Sequence, residues 1–326
     1  MPTVILFKLL TIFVVVAIGW GVGKLKWLGS GDPSRTLANA AYYIFVPALL
    51  FRTTARIDFH TMPWRTLLAV FAPLVAMLLA VYAGQRFGSR GTAAATPAAP
   101  AVRAISVAFG NTVQVGIPIA AALFGETGLA IHLAIVSLHA LVLLTVTTTL
   151  VELDLAHAQA ASGQADVHLL RTLATTARNT VIHPVVLPVL TGLAWNGLGL
   201  PVPAAMDEIL QTLGQAVVPL CLVLIGMSLA YYGVQDAALG AVAISVLKML
   251  VLPALVLAVA HWGFDLSGVP LAVVVMLAAL PVGSNALIFA QRYRTLEAET
   301  TAATVLSTLA FVVTAPLWLA VLAHLG

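Results

Sequence analysis

Ten apolar stretches, each about 20 residues long, most constrain what this chain can fold into, because about 20 apolar residues are needed to cross a bilayer as a helix. They cover residues 3–23, 36–55, 64–86, 102–124, 128–151, 178–197, 208–231, 237–261, 269–291 and 299–323. Of the 326 residues, 61% are hydrophobic and 8% are charged, whereas a soluble domain carries about a quarter charged residues. The sequence therefore predicts an all-α polytopic membrane protein with ten transmembrane helices.

The fourth and ninth stretches contain residues that a continuous membrane helix has little reason to carry. Glycine and proline weaken a helix, and proline lacks a backbone donor. Unpaired peptide groups are tolerated at membrane depth only where protein or a water-filled cavity satisfies them. We therefore expect both helices to be broken, with the broken ends facing a polar site. The residues expected to break them are Gly110, Gly116, Pro118, Pro281 and Gly283.

The two halves of the chain resemble each other when one is shifted by about 171 residues. Residues 108–111 then fall on 279–282, and Val46-Pro47 falls near Val218-Pro219. Five spans per half is an odd number, so the halves must have opposite orientation. Inverted repeats with broken helices at the midplane are typical of secondary transporters. We divide the chain into a first repeat (1–151), a cytoplasmic connecting loop (152–177) and a second, inverted repeat (178–326).

The basic residues of the loops predict the orientation in the membrane. Ten lie on one side and three, Arg52, Arg56 and Arg65, on the other. Because Lys and Arg are enriched in cytoplasmic loops, we expect the first set to face the cytoplasm and both termini to lie outside it, in the cell (inner) membrane. The larger set is Lys24, Lys26, Arg35, Arg86, Arg90, Arg103, Arg171, Arg178, Arg292 and Arg294.

Neutral polar side chains accompany the two expected breaks. They are Asn111, Thr112 and Gln114 in the fourth span and Ser284 and Asn285 in the ninth. Helix N-termini attract anions, and amides and hydroxyls can bind a carboxylate. We therefore predict a binding site for a small organic anion, with Asn39 of the second span as a further contributor. The alternative is that these groups only cap the breaks and pack the helices together.

Lys248 is the basic residue that lies well inside a predicted span. An ionisable residue within a membrane is a candidate for function. It could balance a bound anion, pair with an acid, order the scaffold through backbone carbonyls, or extend to an interface. His132 and His139, seven residues apart, could relay protons or could be packed histidines.

Several classes of function are disfavoured. The single Cys221 excludes a disulfide framework and a multi-thiolate metal site within one chain. No His-Glu-x-x-His pair and no Walker-type loop occurs. The net charge of +3 comes from residues in membrane loops and does not indicate nucleic-acid binding. An intramembrane hydrolase built on Ser284 is not favoured, because no histidine is near it in sequence, and we expect no enzyme activity and no metal.

Four motifs resemble those of the auxin efflux carrier family, which includes bacterial carriers, malonate transporters and the plant PIN proteins. They are Gly110–Pro118 for the fourth span, Leu280–Tyr293 for the ninth, Asn39–Phe51 for the second, and Val217–Leu220 with Gly226–Leu229 for the seventh. The resemblance covers nearly the whole chain in the right order.

The resemblance implies crossing broken helices four and nine, a scaffold that often dimerises, and carriage of organic acids such as auxins or malonate. It gives the crossover roles to Asn111 and Pro281. Plant members have proline just before that asparagine, where this chain has Gly110. We expect a secondary carrier with no cofactor, and proton coupling, sodium coupling and uniport all remain open. The alternatives are a sodium-coupled carrier of larger amphipathic anions, similar to bile-acid transporters, and a membrane receptor.

Overall fold

All regular secondary structure that the computed structural model describes is helical, as predicted. The structure describes residues 2–29, 31, 33–56, 63–88, 96–161, 178, 181–182, 184, 186–232 and 238–325. The α-helices within these ranges are α1 (Pro2–Lys24), α2 (Pro33–Ala40), α3 (Val46–Ala55), α4 (Trp64–Gly88), α5 (Ala99–Ala108), α6 (Ile117–Ala161), α7 (Val186–Gly197), α8 (Ala204–Tyr232), α9 (Ala238–Val246), α10 (Leu252–Ala258), α11 (Gly268–Ala278), α12 (Ser284–Arg292) and α13 (Glu297–Leu325).

Within the described ranges, five helices are long and apolar enough to cross a membrane. These lie at Trp64–Gly88, Ile119–Ala158, Ala204–Leu224, Leu239–Gly263 and Glu297–Leu325, and shorter apolar helices include Ala99–Ala108 and Gly268–Ala278. The chain is therefore a multi-pass membrane protein. Both of these short helices are largely enclosed, since residues 104–108 of α5 and 273–278 of α11 are all buried.

Four turns of π-helix interrupt the α-helices, at Ala41–Phe45, Thr112–Gly116, Leu247–Val251 and Val259–Gly263. Each of the first three ends two residues before a proline, namely Pro47, Pro118 and Pro253. A proline inside a helix lacks its N–H, and its ring clashes with the carbonyl four residues earlier. A wider π turn moves that carbonyl, so these helices continue past their prolines.

Helix α6 consists of two helical parts that meet at Gly125. The backbone of Gly125 has φ 62° and ψ −157°, which is a conformation that other residues rarely adopt. This kink falls between the predicted fourth span (102–124) and the predicted fifth span (128–151). The second part continues to Ala161, so the predicted connecting loop over 152–177 begins later than expected, and residues 162–177 lie outside the described part of the chain.

Glycines bring α1 and α8 into close contact. A Cβ added at Gly226 would lie 1.9 Å from the Val16 carbonyl oxygen, and one at Gly19 would lie 2.2 Å from the Val223 carbonyl oxygen. Only glycine allows two helix backbones to approach this closely, which is the usual way that membrane helices pack without a hydrophobic driving force.

Ion pairs hold the helix ends at both sides of the molecule. At one end, Arg86 Nε lies 2.7 Å from Asp154, and Arg103 Nε lies 2.7 Å from Glu299. At the other end, both Arg52 and Arg56 contact Asp207 at 2.8 Å.

A phenol and a carboxylate add to the contacts at the first of these ends. The Tyr293 hydroxyl donates to the Glu152 carboxylate at 3.0 Å. Burial, with this carboxylate beside it, raises the pKa of Tyr293, so the phenol remains a donor at neutral pH.

Candidate functional site

Two short extended segments meet where α5 and α11 end. Helix α5 stops at Ala108, and Phe109 is extended with φ −82° and ψ 109°. Helix α11 stops at Ala278, and the chain is extended again at Gly283. Gly110 and Val282 form an antiparallel bridge. In it, the Asn111 N–H donates to the Pro281 carbonyl at 2.8 Å, and the Gly283 N–H donates to the Phe109 carbonyl at 2.9 Å.

Two further peptide groups at or next to this bridge are paired with side chains. The Val282 N–H donates to Ser307 Oγ at 3.0 Å. The Lys248 ammonium donates to the carbonyl of Ala278, the last residue of α11. These bonds matter because a peptide group without a partner at membrane depth costs several kcal/mol. We call the region formed by 109–112 and 279–284 the bridge.

Gly283 is required by the closeness of the two segments. A Cβ there would lie 2.6 Å from the Gly110 carbonyl oxygen and 2.9 Å from Phe109 Cδ1. Gly110 is less constrained, because its added Cβ would meet nothing nearer than Lys248 Nζ at 3.4 Å.

A small cavity of about 50 Å³ lies beside the bridge. The bridge and the first residues of α12 supply its polar wall, and three other helices supply an apolar wall. Its lining comprises Val46, Leu49, Leu50, Phe109, Gly110, Asn111, Thr112, Val113, Val136, His139, Ala140, Val217, Gly283, Ser284 and Asn285. We call it the bridge cavity. An apolar enclosure with a few convergent polar groups is typical of small-molecule sites.

Two helical segments begin at the bridge cavity. One starts at Thr112, whose N–H donates to the Gly110 carbonyl at 2.8 Å, and the other is α12, which starts at Ser284. The first turn of a helix has N–H groups without intrahelical partners and carries the positive end of the helix dipole. The electrostatics of this wall therefore favour an anion.

The structure brings together four of the six side chains predicted to bind a solute. Asn111, Thr112, Ser284 and Asn285 all line the bridge cavity. The side chain of Gln114 lies outside the described part of the structure. Asn39 does not line the bridge cavity; it lines a second cavity between α2 and the end of α12.

Two residues expected to break the fourth span lie instead in helical backbone. Gly116 closes the π turn Thr112–Gly116, and Pro118 is the second residue of α6, where a proline is well tolerated. The side chain of Pro118 is outside the described part of the structure. Gly116 acts in packing, because a Cβ there would lie 2.6 Å from His132 Nε2 and 2.8 Å from Leu280 Cδ1.

Lys248 is fully buried next to the bridge. Its contact with Ala278 corresponds to the third role considered from the sequence, which is ordering backbone carbonyls. Among the described residues, no carboxylate lies within 4 Å of it. A cation at the carbonyl end of α11 also interacts favourably with the helix dipole.

The sequence did not distinguish the two histidines of α6, and the structure does. His132 Nε2 lies 2.7 Å from the Thr112 carbonyl, to which a ring N–H donates. His139 lines the bridge cavity and packs edge-on against Phe109, with ring centroids 4.5 Å apart. Neither ring nitrogen of His139 has a hydrogen-bond partner in the described part of the chain. The seven-residue spacing was a signal for a shared face but not for this difference.

Comparisons with known proteins relate the chain to membrane transporters. A family model described as "Membrane transport protein" matches residues 4–319. This match confirms the resemblance to the auxin efflux carrier family that the four motifs indicated. The chain is also 26% identical, over 317 residues, to an uncharacterized transporter of Methanothermobacter thermautotrophicus, and the alignment covers 96% of this chain and 97% of that protein.

Proposed function

Because the chain belongs to the membrane transport protein family, we propose that it is a secondary carrier that moves small organic anions across the cell membrane by alternating access. In this proposal the helices form two inverted repeats of five. The predicted fourth span is broken between α5 and the π turn at Thr112, and the ninth between α11 and α12. The solute binds at the bridge between them.

The antiparallel bridge between Gly110 and Val282 is the observation that carries the proposal. It brings the starts of two helical segments to one cavity and places the Asn111, Thr112 and Ser284 side chains around it. Two helix N-termini and neutral hydrogen-bonding groups favour a carboxylate without requiring a second buried charge. Lys248 donates to the Ala278 carbonyl next to the bridge, and its ammonium adds positive charge to the same region.

The size of the bridge cavity supports a mechanism in which its walls move. A volume of about 50 Å³ has room for a few water molecules, whereas ligand pockets measure about 300–1,000 Å³. The apolar wall comes from Val46, Leu49 and Leu50 of α3 and Val217 of α8. Sliding of the bridge elements along this wall would open the cavity to either side. We propose, from the family resemblance, that α3 and α8 belong to a scaffold that forms a homodimer.

Uptake by the purified protein in liposomes tests the proposed function directly. Labelled acetate, malonate, succinate and indole-3-acetate would be supplied under an imposed pH gradient, a sodium gradient, or neither. We expect at least one of these anions to accumulate, and the gradient it requires identifies the coupling ion. If no organic anion moves under any gradient, the chain is not an organic-anion carrier.

Two asparagine substitutions test the site. Asn111→Ala and Asn285→Ala each remove a hydrogen-bonding group from the bridge cavity, and we expect each to weaken anion binding about tenfold, since a hydrogen bond to a charged group contributes about 1.5–3 kcal/mol. Asn196→Ala is the matched control, because Asn196 bonds the Thr54 carbonyl at 3.3 Å, away from the bridge. If both bridge variants bind anions as the parent protein does, the solute binds elsewhere.

A further inference from the structure

A second cavity, of about 180 Å³, lies between the second predicted span and the end of α12. Its lining comprises Arg35, Ala38, Asn39, Tyr42, Tyr43, Ile288, Gln291 and Arg292. We call it the basic cavity. It is larger than the bridge cavity and has a different chemical character.

The lining of the basic cavity is positively charged. It contains two guanidinium groups, from Arg35 and Arg292, and two carboxamides, from Asn39 and Gln291, and none of its lining residues is acidic. Two arginines at the same end of the molecule form ion pairs with buried carboxylates, Arg86 with Asp154 and Arg103 with Glu299.

Arg292 differs from these paired arginines. Within the described ranges of the chain, no carboxylate lies within 4 Å of Arg292. Guanidinium groups bind carboxylate and phosphate oxygens in a two-pronged geometry.

Two elements line both cavities: helix α12, and the second predicted span, which consists of α2, the π turn at Ala41–Phe45 and α3. On α12, Ser284 faces the bridge cavity, and Ile288 and Gln291 face the basic cavity. Positions 284, 288 and 291 share one face of a helix. Seven residues of helix span about 10 Å, so the basic cavity lies about that far from the bridge along α12.

The second predicted span also contributes residues to both cavities. Asn39 and Tyr42 line the basic cavity, while Val46 and Leu49 line the bridge cavity. The π turn at Ala41–Phe45 lies between the two pairs, so their order along the span follows from the two cavity linings and not from α-helical spacing. On both elements, the residues that line the cavities therefore extend from the basic cavity to the bridge. The basic cavity lies at the end of the molecule that is predicted to face the cytoplasm.

We propose that the basic cavity is an oxyanion-binding site that holds the carboxylate of the solute before the solute moves to the bridge. This inference rests on the proposed function. Arg35 and Arg292 supply the charge, and Asn39 and Gln291 supply hydrogen bonds. The phosphate of an anionic lipid headgroup has the same chemistry, and the experiment separates the two sources.

A cysteine introduced in the basic cavity measures its charge without any need for transport. The protein would carry Tyr43→Cys in a Cys221→Ala background, because Tyr43 lines this cavity, is exposed, and has no role in the proposed anion site. The thiol would react with an anionic and a cationic methanethiosulfonate, with both rates normalised to a free thiol. We expect the anionic reagent to be favoured about tenfold at low salt, and less at high salt.

Substitution of the arginines identifies the source of that preference. Arg35→Gln with Arg292→Gln should abolish it. Arg294→Gln is the matched control, because Arg294 is exposed two residues beyond α12 and does not line the cavity. A preference that survives the double substitution, or its absence in the parent background, overturns the proposal.

Protection of the same thiol identifies the occupant. In nanodiscs of phosphatidylcholine alone, we expect malonate or succinate to slow the reaction at least about threefold at saturation, with the protection lost in the double arginine variant. Protection only after phosphatidylglycerol is added shows a lipid phosphate in the site and overturns the role in solute transfer. Protection by neither overturns the oxyanion site.

The two proposals fail in distinguishable ways. If the chain carries no organic anion, liposome uptake fails while the reagent preference in the basic cavity stands. If the basic cavity binds no anion, uptake and its dependence on Asn111 remain, and the reagent preference is absent.

Discussion

At the scale of single residues, His139 has a buried imidazole that lacks a hydrogen-bond partner among the described residues. It is buried to 1% exposure, it lines the bridge cavity, and its ring nitrogens have no hydrogen bond within the described residues. A buried polar group left without a partner costs about 1–3 kcal/mol. His132, one heptad earlier, avoids that cost through the Thr112 carbonyl. We infer that a solute or a water molecule in the bridge cavity supplies the partner of His139.

Replacement of each histidine by leucine should have opposite effects. His139→Leu removes an unsatisfied group at nearly constant volume, so the thermal unfolding midpoint should hold or rise, while anion affinity should fall about tenfold. His132→Leu removes the hydrogen bond to the Thr112 carbonyl and should destabilise the protein by about 0.5–1.5 kcal/mol. Unfolding of purified protein in detergent and equilibrium anion binding measure the two effects. Unchanged affinity in His139→Leu would show that the imidazole only packs against Phe109.

Lys248 is a buried cation, and its role in binding the solute can be tested by removing its charge. Removing an ammonium from water costs several kcal/mol without a charged partner, and its bond to the Ala278 carbonyl recovers about 1.5–3 kcal/mol. We therefore expect Lys248→Met to weaken anion binding with little net change in the unfolding midpoint, because the desolvation cost it removes is offset by the Ala278 carbonyl left without this donor. Lys24→Met is the control, since Lys24 lies at the exposed end of α1, 5.9 Å from the Trp20 ring centroid. Parental anion affinity in Lys248→Met would mean that the lysine orders the bridge and does not balance the solute.

At the scale of elements, the bridge depends on a glycine whose role sequence spacing does not reveal. Gly283→Ala should push the Gly110 carbonyl and Phe109 ring away, disturb the Gly283–Phe109 hydrogen bond, and destabilise the protein by about 1–3 kcal/mol with a large loss of transport. Gly110→Ala should cost under about 1 kcal/mol, because the atom it meets is the flexible tip of Lys248. Unfolding midpoints and initial uptake rates of the two variants measure this difference. Equal effects would contradict the geometry of the bridge.

The sequence located this bridge only in part. Clustered glycine, asparagine and proline marked the regions of Gly110 and Pro281, and the helices do end at Ala108 and Ala278. It wrongly assigned breaks to Gly116 and Pro118, because a π turn lets a helix pass a proline and the sequence has no separate signal for such a turn. It also placed Asn39 with the bridge, since residue spacing predicts which face of a helix a side chain occupies but not its depth in the membrane.

At the scale of the whole molecule, the structure shows ion-pair partners for the three basic residues that the sequence placed on the less basic side. The three basic residues on the less basic side all face aspartates: Arg52 and Arg56 contact Asp207, and Arg65 lies 4.0 Å from Asp265. The sequence predicted which loops carry the charges, but these pairs join residues from 151 to 200 positions apart in the chain, so no local pattern could reveal them. The contacts of Arg52 and Arg56 with Asp207 join α3 to α8, the two helices of the proposed scaffold, whereas the exposed Arg65–Asp265 pair joins the start of α4 to the segment before α11.

The last prediction concerns the orientation of the chain, which follows from the ten-to-three distribution of loop charges. Ten predicted spans would place both termini on one side, and the positive-inside bias predicts that this side lies outside the cytoplasm. Alkaline phosphatase fused after Gly326 should therefore be active in a bacterial host, and green fluorescent protein at the same position should be dark. A fusion at residue 162, just after α6, should give the reverse result and serves as the control. A fluorescent fusion after Gly326 would mean an odd number of spans or the opposite orientation, and the basic cavity would then be assigned to the wrong side of the membrane.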